Sequence, residues 1–368
     1  MKSKYYMIIA MIVLAVFAIG AVSASENIAA DIDEPTDDVA VDDVAVEEID
    51  EQADDVAVDD VAVKEADEGG NRAITYQRFN VTASSNFTDI NNKIANGNYT
   101  GYEFYFDNST NYTNFAMVTG NNNKFTGNGA NITGSGDLFT VDGSNNIVIT
   151  GFNMKVTTGN AAIYGANVIN ATIENNNIVG GKDGINIKET YDNVIINNNK
   201  ISGFTRDGIS LVDHQTLSDS DWTNRGSSVI SNNVITGISI ASTEVGMFFG
   251  GNFKGTICGN VITHVKEGVE FTGKKAKTNG KLSVDFCNNN ISDIEYGLYL
   301  NNHNVTFLNI TYCNIGLNSP NLLFDIYATS NYVATGFVGV YNSNFNGTFS
   351  PRFVTSVGSN YNNNTNFP

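Results

Sequence analysis

The chain has 368 residues, a formal net charge of −19 and a pI of about 4.4. After residue 68 the charges nearly balance, with 17 Lys and Arg against 20 Asp and Glu, so the sequence does not indicate a basic face for nucleic acid. With three His in all and three Cys that lack metal-ligand spacing, no metal site is predicted. The negative charge is concentrated in one stretch, and this unevenness divides the chain into a leader and a folded part.

Residues 1–24 have the pattern of a secretory signal peptide. Lys2 and Lys4 precede an apolar run over residues 7–22, and residues 22–24 (Val-Ser-Ala) supply the small side chains that signal peptidases favour. This run is shorter than the roughly 20 apolar residues that cross a membrane. We predict a secreted or cell-surface protein, and a retained N-terminal anchor is the alternative.

Residues 25–70 form an acidic low-complexity leader that we predict to be disordered. Between residues 26 and 68, nineteen Asp and Glu face one Lys, and the unit Asp-Asp-Val-Ala-Val occurs four times. The segment contains no aromatic residue, so it cannot bury enough apolar surface to offset its ordering entropy, and charge repulsion keeps it extended. We interpret it as a spacer ahead of the folded part.

Residues 71–120 are predicted to form an N-terminal cap and the first strands. Phe87, Ile90 and Ile94 recur at helical spacing, and Gly97 follows as a stop signal. A short amphipathic helix at this place would cover the open edge and the apolar core at the end of a solenoid. After residue 68 the chain is nearly neutral, with 17 Lys and Arg against 20 Asp and Glu.

Residues 121–368 carry a repeat of about 23 residues, which predicts an all-β parallel solenoid of about nine coils. The repeat is clearest in residues 171–213, where an Asn-rich bend and a Gly-led strand each occur twice. Apolar and polar residues alternate over short stretches, which is strand patterning, and a unit this short must stack on its copies to bury its apolar face. The apolar residues that open the units are Phe125, Ile149, Ile173, Ile196, Ile230, Ile257, Phe286, Phe307 and Val340.

Three residues after the opening residue, five consecutive units carry Asn. These positions are Asn176, Asn199, Asn233, Asn260 and Asn289. Stacked coils repeat at about 4.8 Å, a distance at which side-chain amides hydrogen-bond from coil to coil. Asn also tolerates the backbone conformations of a bend. We therefore predict a structural Asn ladder without a catalytic role.

A second aligned row precedes the next strand in residues 182–184, 206–208, 266–268 and 296–297. Three of these segments read as a basic residue, an acid and Gly. An aligned row of acids and bases could bind carbohydrate or take part in catalysis. We favour a structural interpretation, in which Gly supplies an unusual backbone angle and the acid favours the turn before it. On that interpretation Asp183 and Asp207 belong to the scaffold.

Loops 213–228 and 273–281 leave the solenoid at the same corner, two coils apart, and form the predicted ligand-binding site. The candidate residues are Asp213, His214, Asp219, Asp221, Trp222 and Arg225 in the first loop and Lys274, Lys275 and Lys277 in the second. Two coil rises measure about 10 Å, so an acidic, aromatic loop and a basic loop should lie side by side. Trp222 could stack on a sugar ring, and the acids could bind Ca²⁺ or act as acid and base. The alternative is that Trp222 folds back onto apolar surface.

Other chemistry has little support in the sequence. Nucleophile elbows, phosphate loops and dinucleotide fingerprints are absent, and no cofactor is predicted beyond the candidate Ca²⁺. Cys258 and Cys287 occupy the same outward place in adjacent units, which makes a disulfide between them a candidate. A dozen Asn-x-Ser/Thr sequences make glycosylation another candidate feature of an exported chain.

An Asn-rich bend, then Ile, then a Gly-led strand recur in residues 176–187, 199–211, 260–271 and 289–300. This pattern resembles the repeats of right-handed parallel β-helix proteins, among them pectate-lyase-like polysaccharide enzymes. Together with the signal peptide, the acidic leader and the Asn-rich, Cys-poor coils, it resembles the adhesin-like surface proteins of methanogenic archaea. The acid, base and metal constellation of the lyase-like enzymes has no assignable match here.

The resemblance implies an exported surface protein that binds glycans or the surface of another cell without catalysis. It also implies association with the protein's own cell envelope, although the sequence shows neither the Ig-like repeats nor the C-terminal anchor of many relatives. The alternative function is a polysaccharide lyase or glycoside hydrolase that acts at the corner of loops 213–228 and 273–281.

Overall fold

The computed structural model describes residues 63–64, 75–273, 280–301 and 304–368. The chain divides into two units, Met1–Asp55 and Val56–Pro368, and the described residues all belong to the second. The predicted signal peptide, nearly all of the predicted disordered leader, and Lys274, Lys275 and Lys277 lie outside the described residues. Within those residues, no helix is long and apolar enough to cross a membrane.

The second unit is a right-handed parallel β-helix, and this part of the fold prediction is confirmed. Each full coil contributes strands to three parallel ladders, which we number in the order in which the chain visits them. The first ladder contains the strand that opens a coil, the second contains a short strand after the Asn bend, and the third contains the Gly-led strand. A two-residue strand, β1 (Val63–Lys64), pairs antiparallel with the beginning of the first ladder.

The strands are short and their ladders are long. The first ladder consists of β2 (Thr75–Val81), β3 (Tyr102–Phe106), β6 (Lys124–Thr126), β9 (Asn145–Thr150), the end of β11 (Ala161–Glu174), β14 (Ile195–Asn197), β17 (Ser228–Ser231), β20 (Phe253–Cys258), β23 (Lys281–Cys287), β26 (Asn304–Thr311), β29 (Val333–Tyr341) and β31 (Tyr361–Asn362). The second consists of β4 (Asn111–Thr113), β7 (Asn131–Gly134), β10 (Asn153–Val156), β12 (Asn177–Gly180), β15 (Lys200–Ser202), β18 (Val234–Thr236), β21 (Val261–Thr263), β24 (Asn290–Ser292), β27 (Asn314–Ile315) and β30 (Asn344–Phe345). The third consists of β5 (Met117–Val118), β8 (Phe139–Thr140), the beginning of β11, β13 (Asp183–Asp192), β16 (Asp207–Asp213), β19 (Val245–Gly251), β22 (Glu267–Thr272), β25 (Tyr296–Asn301) and β28 (Phe324–Ala328).

Alternation along each strand produces one continuous core inside the coils. In β23, Leu282, Val284 and Phe286 are buried, and the residues between them face outward. Equivalent residues in successive coils stack, as where the rings of Phe104 and Phe125 lie 5.0 Å apart and nearly parallel. Because removing apolar area from water contributes roughly 25 cal/mol per Å², these rows stabilise the stack.

Helices lie near both ends of the described solenoid. Helix α1 (Phe87–Ala95) is the predicted N-terminal capping helix; the Asn86 side chain accepts hydrogen bonds at its N-terminus, and Ile90 and Ile94 are buried. Helix α3 (Pro351–Val357) buries Phe353 and Val357 near the C-terminal end. Helix α2 (Asp219–Asn224) belongs to the loop after β16. The boundaries predicted for the leader, the cap and the solenoid remain predictions.

The strand register follows the predicted opening residues with one exception. Those from Phe125 to Phe286 pair in the predicted order along the first ladder. Phe286 pairs with Ile310, so the prediction of Phe307 as the next opening residue was wrong. A shift of register just before Phe307 turns its side chain outward, where its ring stacks on Phe337 at 5.6 Å.

The five aligned Asn form a hydrogen-bonded row inside the bend. Nδ2 of each of the first four donates to Oδ1 of the Asn in the next coil, at 3.0 Å from Asn176 to Asn199 and 3.0 Å from Asn233 to Asn260. The same Oδ1 accepts a backbone N–H, and each Nδ2 also reaches a backbone carbonyl of the preceding coil, as from Asn233 to Ile196 O at 2.9 Å. After Asn289 the row continues with Cys313, Ser343 and Asn364.

The aligned Gly residues are required for a different structural reason from the one predicted. The four are Gly184, Gly208, Gly268 and Gly297. None has a positive φ, so the expectation of an unusual backbone angle was wrong. A Cβ on Gly184 would lie 2.5 Å from the carbonyl oxygen of Gly208 and 2.5 Å from Cγ2 of Ile201. These positions are Gly because the backbone of the next coil approaches too closely for any side chain.

Cys258 and Cys287 form a disulfide between adjacent coils, with their Cα atoms 4.6 Å apart. The sequence predicted this pair as the candidate disulfide, because the two residues occupy equivalent positions in adjacent coils. Cys313 is a buried free thiol in the Asn row, and its burial raises its pKa to about 11. It therefore stays protonated and donates a weak hydrogen bond to a backbone carbonyl.

Replacing one ladder Asn should lower the stability of the solenoid strongly. In Asn233→Ala, the backbone N–H of Asn199 and the carbonyl oxygen of Ile196, both buried in the preceding coil, lose their partners, and each unsatisfied group costs about 1–3 kcal/mol. We expect a clear drop in Tm, measured by scanning calorimetry. The matched control is Asn98→Ala at an exposed position after α1, which should leave Tm nearly unchanged. Equal Tm values for the two variants would show that the ladder contributes little.

Candidate functional site

Loop 213–228 is fastened to the solenoid by a buried ion pair at its base. Asp213, at the end of β16, is fully buried and pairs with the guanidinium of Arg225, which is also largely buried. Arg225 donates a second hydrogen bond to the carbonyl oxygen of Tyr191 and lies over the Tyr191 ring at 5.0 Å. The structure thus places these two predicted site residues where they close the loop.

Residues of the next two coils hold the loop against the wall of the solenoid. Asn252 donates to Asp213 Oδ2 at 3.3 Å, and Lys254 Nζ donates to the carbonyl oxygen of Thr223 at 3.1 Å. Lys281 Nζ, two coils away, contacts the exposed Asp219 carboxylate at 2.6 Å and lowers the pKa of that group. Loop 213–228 therefore reaches the place at which loop 273–281 rejoins its strand.

The remaining predicted loop residues point in different directions. Asp221 belongs to a capping box with Ser218 at the N-terminus of α2, and Trp222 is half-buried on the same helix. His214 contacts Glu189 through Nδ1 at 3.2 Å. Binding roles for these residues, and for Lys274, Lys275 and Lys277 outside the described residues, remain predictions.

The carboxylates of the loop do not fit a Ca²⁺ site. Asp213 is engaged by Arg225, Asp219 by Lys281, and Asp221 by the cap of α2. Because each of the three has its own partner, they share no oxygen cage of the kind that Ca²⁺ requires. Across the described part of the chain, no group of three or more His, Cys, Asp and Glu side chains is arranged to hold a metal ion.

The outward side of the third ladder carries two parallel rows of polar and aromatic side chains. We call this surface the third-ladder face. Its first row is Asp183, Asp207, Val245, Glu267, Tyr296 and Phe324. Its second row, three residues further along each strand, is Asn186, Ser210, Phe248, Glu270, Tyr299 and Tyr327. A concave groove runs over this face beside loop 213–228. Its lining includes Lys188, Arg206, Asp207, His214, Phe248 and Glu270.

One end of the face contains two acids that share an Arg. Asp183 accepts a hydrogen bond from Arg206 Nε at 2.8 Å, and Asp207 Oδ2 lies 3.2 Å from the same atom. Asn186 Nδ2 also donates to Asp183 at 2.7 Å. Burial, and then the charge of Asp183, raise the pKa of Asp207 to about 7, while Arg206 opposes this rise. Asp207 is therefore a carboxyl group that exchanges its proton near neutral pH.

Two coils further along, the face contains a pair of Glu side chains. Burial raises the pKa of Glu267, the charge of Lys266 opposes the rise, and the charge of Glu295 adds to it. A side-chain hydrogen bond with Glu270 also opposes the rise, and Oε2 of Glu267 is buried without a hydrogen-bond partner among the described residues.

An aromatic platform completes the face. We use this name for Tyr296, Tyr299, Phe324 and Tyr327, whose side chains are all half-buried. The ring centroids of Tyr299 and Tyr327 are 5.3 Å apart, and those of Phe324 and Tyr327 are 4.8 Å apart. Burial raises the pKa of the Tyr296 and Tyr299 hydroxyls, which therefore stay protonated as hydrogen-bond donors. Rings with apolar faces beside carboxylate acceptors can pack on the C–H groups of a sugar and bind its hydroxyls.

Sequence reasoning assigned the first row to the scaffold and did not single out the second. Glu270 and Tyr299 carry no motif of their own, and only the alternation of the Gly-led strand marks them as outward. The available signal was their common distance of three residues from the aligned positions 267 and 296. It was overlooked because an outward polar or aromatic residue on a single strand is unremarkable until the neighbouring coils are in register.

No protein-family model matches this chain, and no curated protein matches it. Among solved structures, the catalytic domain of a GH87 alpha-1,3-glucanase in complex with tetrasaccharides is 12% identical, with a TM-score of 0.44 and coverage of 83% of this chain and 71% of that one. The same domain in complex with nigerose is 14% identical, with a TM-score of 0.37 and coverage of 83% and 70%. The A-module of a mannuronan C-5 epimerase from Azotobacter vinelandii is 11% identical, with a TM-score of 0.31 and coverage of 73% and 83%.

Asp207 should make stability fall as the pH rises from about 4 to about 7. Its pKa rises from 3.8 to about 7 on folding, so the folded state binds more protons than the unfolded state within that window. The loss is about 1.4 kcal/mol for each pH unit. In Asp207→Asn the Tm should therefore gain on the wild type as the pH increases, in calorimetry at pH 4.5, 6 and 8. Asp219→Asn, at a carboxylate that is ionised throughout, should show a constant offset; the same constant offset for Asp207→Asn would contradict the assignment.

Proposed function

We propose that this protein is an exported, adhesin-like surface protein that binds glycans on its third-ladder face without catalysis. One observation carries the proposal. Register places carboxylates and aromatic rings side by side on a single outward face, where rings such as Tyr299 and carboxylates such as Glu270 are half-exposed. Aromatic rings with hydrogen-bond acceptors beside them are what a sugar, with its C–H face and its ring of hydroxyls, requires.

The groove next to loop 213–228 supports the same function. Phe248 lies on its floor, the polar side chains of Ser210 and His214 line it, and the base of the loop is held by Asp213 and Arg225. Loops on a rigid scaffold are common places for binding residues. In this proposal, Trp222 and the Lys residues of loop 273–281 extend the contact surface at the corner.

The cellular setting belongs to the same proposal. The signal-peptide pattern in residues 1–24 and the acidic spacer in residues 25–70 support export and display away from the cell. The partner would be a glycan or the surface of another cell, with the protein associated with its own envelope. This proposed cellular setting follows from the resemblance of the repeat pattern to adhesin-like proteins of methanogenic archaea.

A glycan array with the purified unit should identify bound sugars. Phe248→Ala removes a groove ring and should weaken binding about tenfold, as truncation of an aromatic contact residue typically does. Trp222→Ala tests whether the loop takes part. Phe337→Ala, at an exposed ring on the first ladder, is the matched control and should bind like the wild type. A wild type that binds no glycan, or equal affinity in Phe248→Ala and the wild type, would contradict the proposal.

A second candidate function is hydrolysis or lysis of a polysaccharide in the same groove. It is favoured by Asp207, whose pKa of about 7 suits a general acid at neutral pH. Glu270 lines the groove two strands further along the ladder and three residues further along its strand, which places its Cα about 14 Å from that of Asp207. Inverting glycosidases separate their carboxyl groups by about 6.5–9.5 Å, so the two side chains would have to extend toward each other along the groove. In this reaction Asp207 would protonate the leaving oxygen, and Glu270 would activate a water.

An assay for cleavage of bound glycans distinguishes the catalytic candidate from non-catalytic binding. If the second candidate is correct, the wild type should release reducing ends, or unsaturated ends, from glycans that it binds. Asp207→Asn should then reduce that rate about 100-fold or more without loss of binding, since it removes only the transferable proton. If bound glycan stays intact over long incubation between pH 5 and 8, the catalytic candidate is excluded and non-catalytic glycan binding is supported.

A further inference from the structure

We propose that the aromatic platform and Glu270 select neutral polysaccharides over acidic ones and hold the chain along the solenoid axis. This inference rests on the proposed glycan binding and names its ligand class. It concerns Tyr296, Tyr299, Phe324 and Tyr327 together with the second row of the third-ladder face. None of these residues belongs to the two loops predicted as the site.

The direction of the chain follows from the register. Phe248, Glu270, Tyr299 and Tyr327 occupy the same position in four successive strands. Successive strands lie about 4.8 Å apart, and the centroids of Tyr299 and Tyr327 are 5.3 Å apart. A pyranose unit has a length close to this spacing. A linear glycan that runs along the axis therefore meets one residue of the row with each sugar unit, whereas a chain across the axis meets only one coil.

The charge around the platform disfavours an acidic sugar. Glu267, Glu270 and Glu295 lie at this end of the face, and the charge of Lys266 acts on Glu267. A uronate or sulfate on the platform would be close to these like charges, and burial of the surface strengthens the repulsion. A neutral sugar instead offers hydroxyl donors to the Glu270 carboxylate.

The basic side chains at the other end of the groove already have partners within the protein. Arg206 is engaged by both Asp183 and Asp207. Lys188 lies with Nζ 4.9 Å from the centroid of the Tyr164 ring, where the π-system attracts it. His214 contacts Glu189. Among the described residues that line the groove, each of these three basic side chains would have to break an internal contact to bind an acidic polymer.

Glu270 is the hydrogen-bond acceptor of this part of the face. Its side chain lines the groove, and its neighbours along the second row are the rings of Phe248 and Tyr299. Glu270 is therefore the residue that would contact the sugar.

The test measures affinity for soluble neutral glucans (dextran, soluble starch and mixed-linkage β-glucan) and for acidic polymers (polygalacturonate and alginate), together with any array hits. The wild type should bind a neutral polymer at least about tenfold more tightly than either acidic one, a difference of about 1.4 kcal/mol. The double variant Tyr299→Ala/Tyr327→Ala should lose about tenfold or more of the neutral affinity. The matched double Tyr→Phe variant keeps the rings and should retain most of it. Tyr312→Ala, at an exposed ring in the Asn bend, should not differ from the wild type.

Glu270→Gln separates charge from shape. The variant keeps an oxygen and gains a donor, so it should bind acidic polymers more tightly than the wild type while the rings stay in place. Tighter wild-type binding of acidic polymers, or unchanged neutral affinity in the double Ala variant at a preserved Tm, would overturn the neutral-sugar inference and leave glycan binding intact. Absence of binding to every polymer and array glycan would overturn the proposed function itself.

Discussion

Coil-to-coil hydrogen bonding in strict parallel register is the constraint on which this molecule depends. Because each residue lies about 4.8 Å from its equivalent in the next coil, any side chain repeated in the sequence becomes a row in space. Apolar rows form the core, and the Asn row from Asn176 to Asn289 satisfies backbone groups that the bend would otherwise leave buried and unpaired. The Gly row exists because the coils approach so closely at Gly184 and its equivalents.

The same register creates an electrostatic problem on the outward faces. Aligned acids would place like charges one coil apart, which is unfavourable wherever water is partly excluded. The third-ladder face relieves this repulsion in two ways. Arg206 is shared between Asp183 and Asp207, and a hydrogen bond joins Glu267 to Glu270. Both arrangements leave a group with a raised pKa, so ionisable chemistry is concentrated on this face as a result of the stacking itself.

Loop 213–228 shows how the solenoid accommodates an insertion without losing its register. The strands before and after it stay paired to their neighbours, and the inserted residues are closed off by Asp213, Arg225 and Tyr191. Asp213 and Arg225, which the sequence suggested as ligand-binding groups, instead form the buried ion pair that closes the loop. The surface left for a ligand is accordingly the strand face beside the loop, together with the outer residues of the loop.

The sequence by itself determined the repeat, the parallel β-helix, the Asn row and most of the opening residues, because each depends on spacing along the chain. The sequence-based prediction was wrong at Phe307, because a local shift of register makes Ile310 the residue that pairs with Phe286. It was also wrong about the aligned Gly residues, which are required because the next coil approaches closely. Only the tertiary structure decided that Asp213 and Arg225 are buried together and that Glu270, Tyr299 and Tyr327 share one face. The physical reason is that burial, ion pairing and pKa depend on which side chains of other coils lie within a few ångströms, and spacing along one strand does not contain that information.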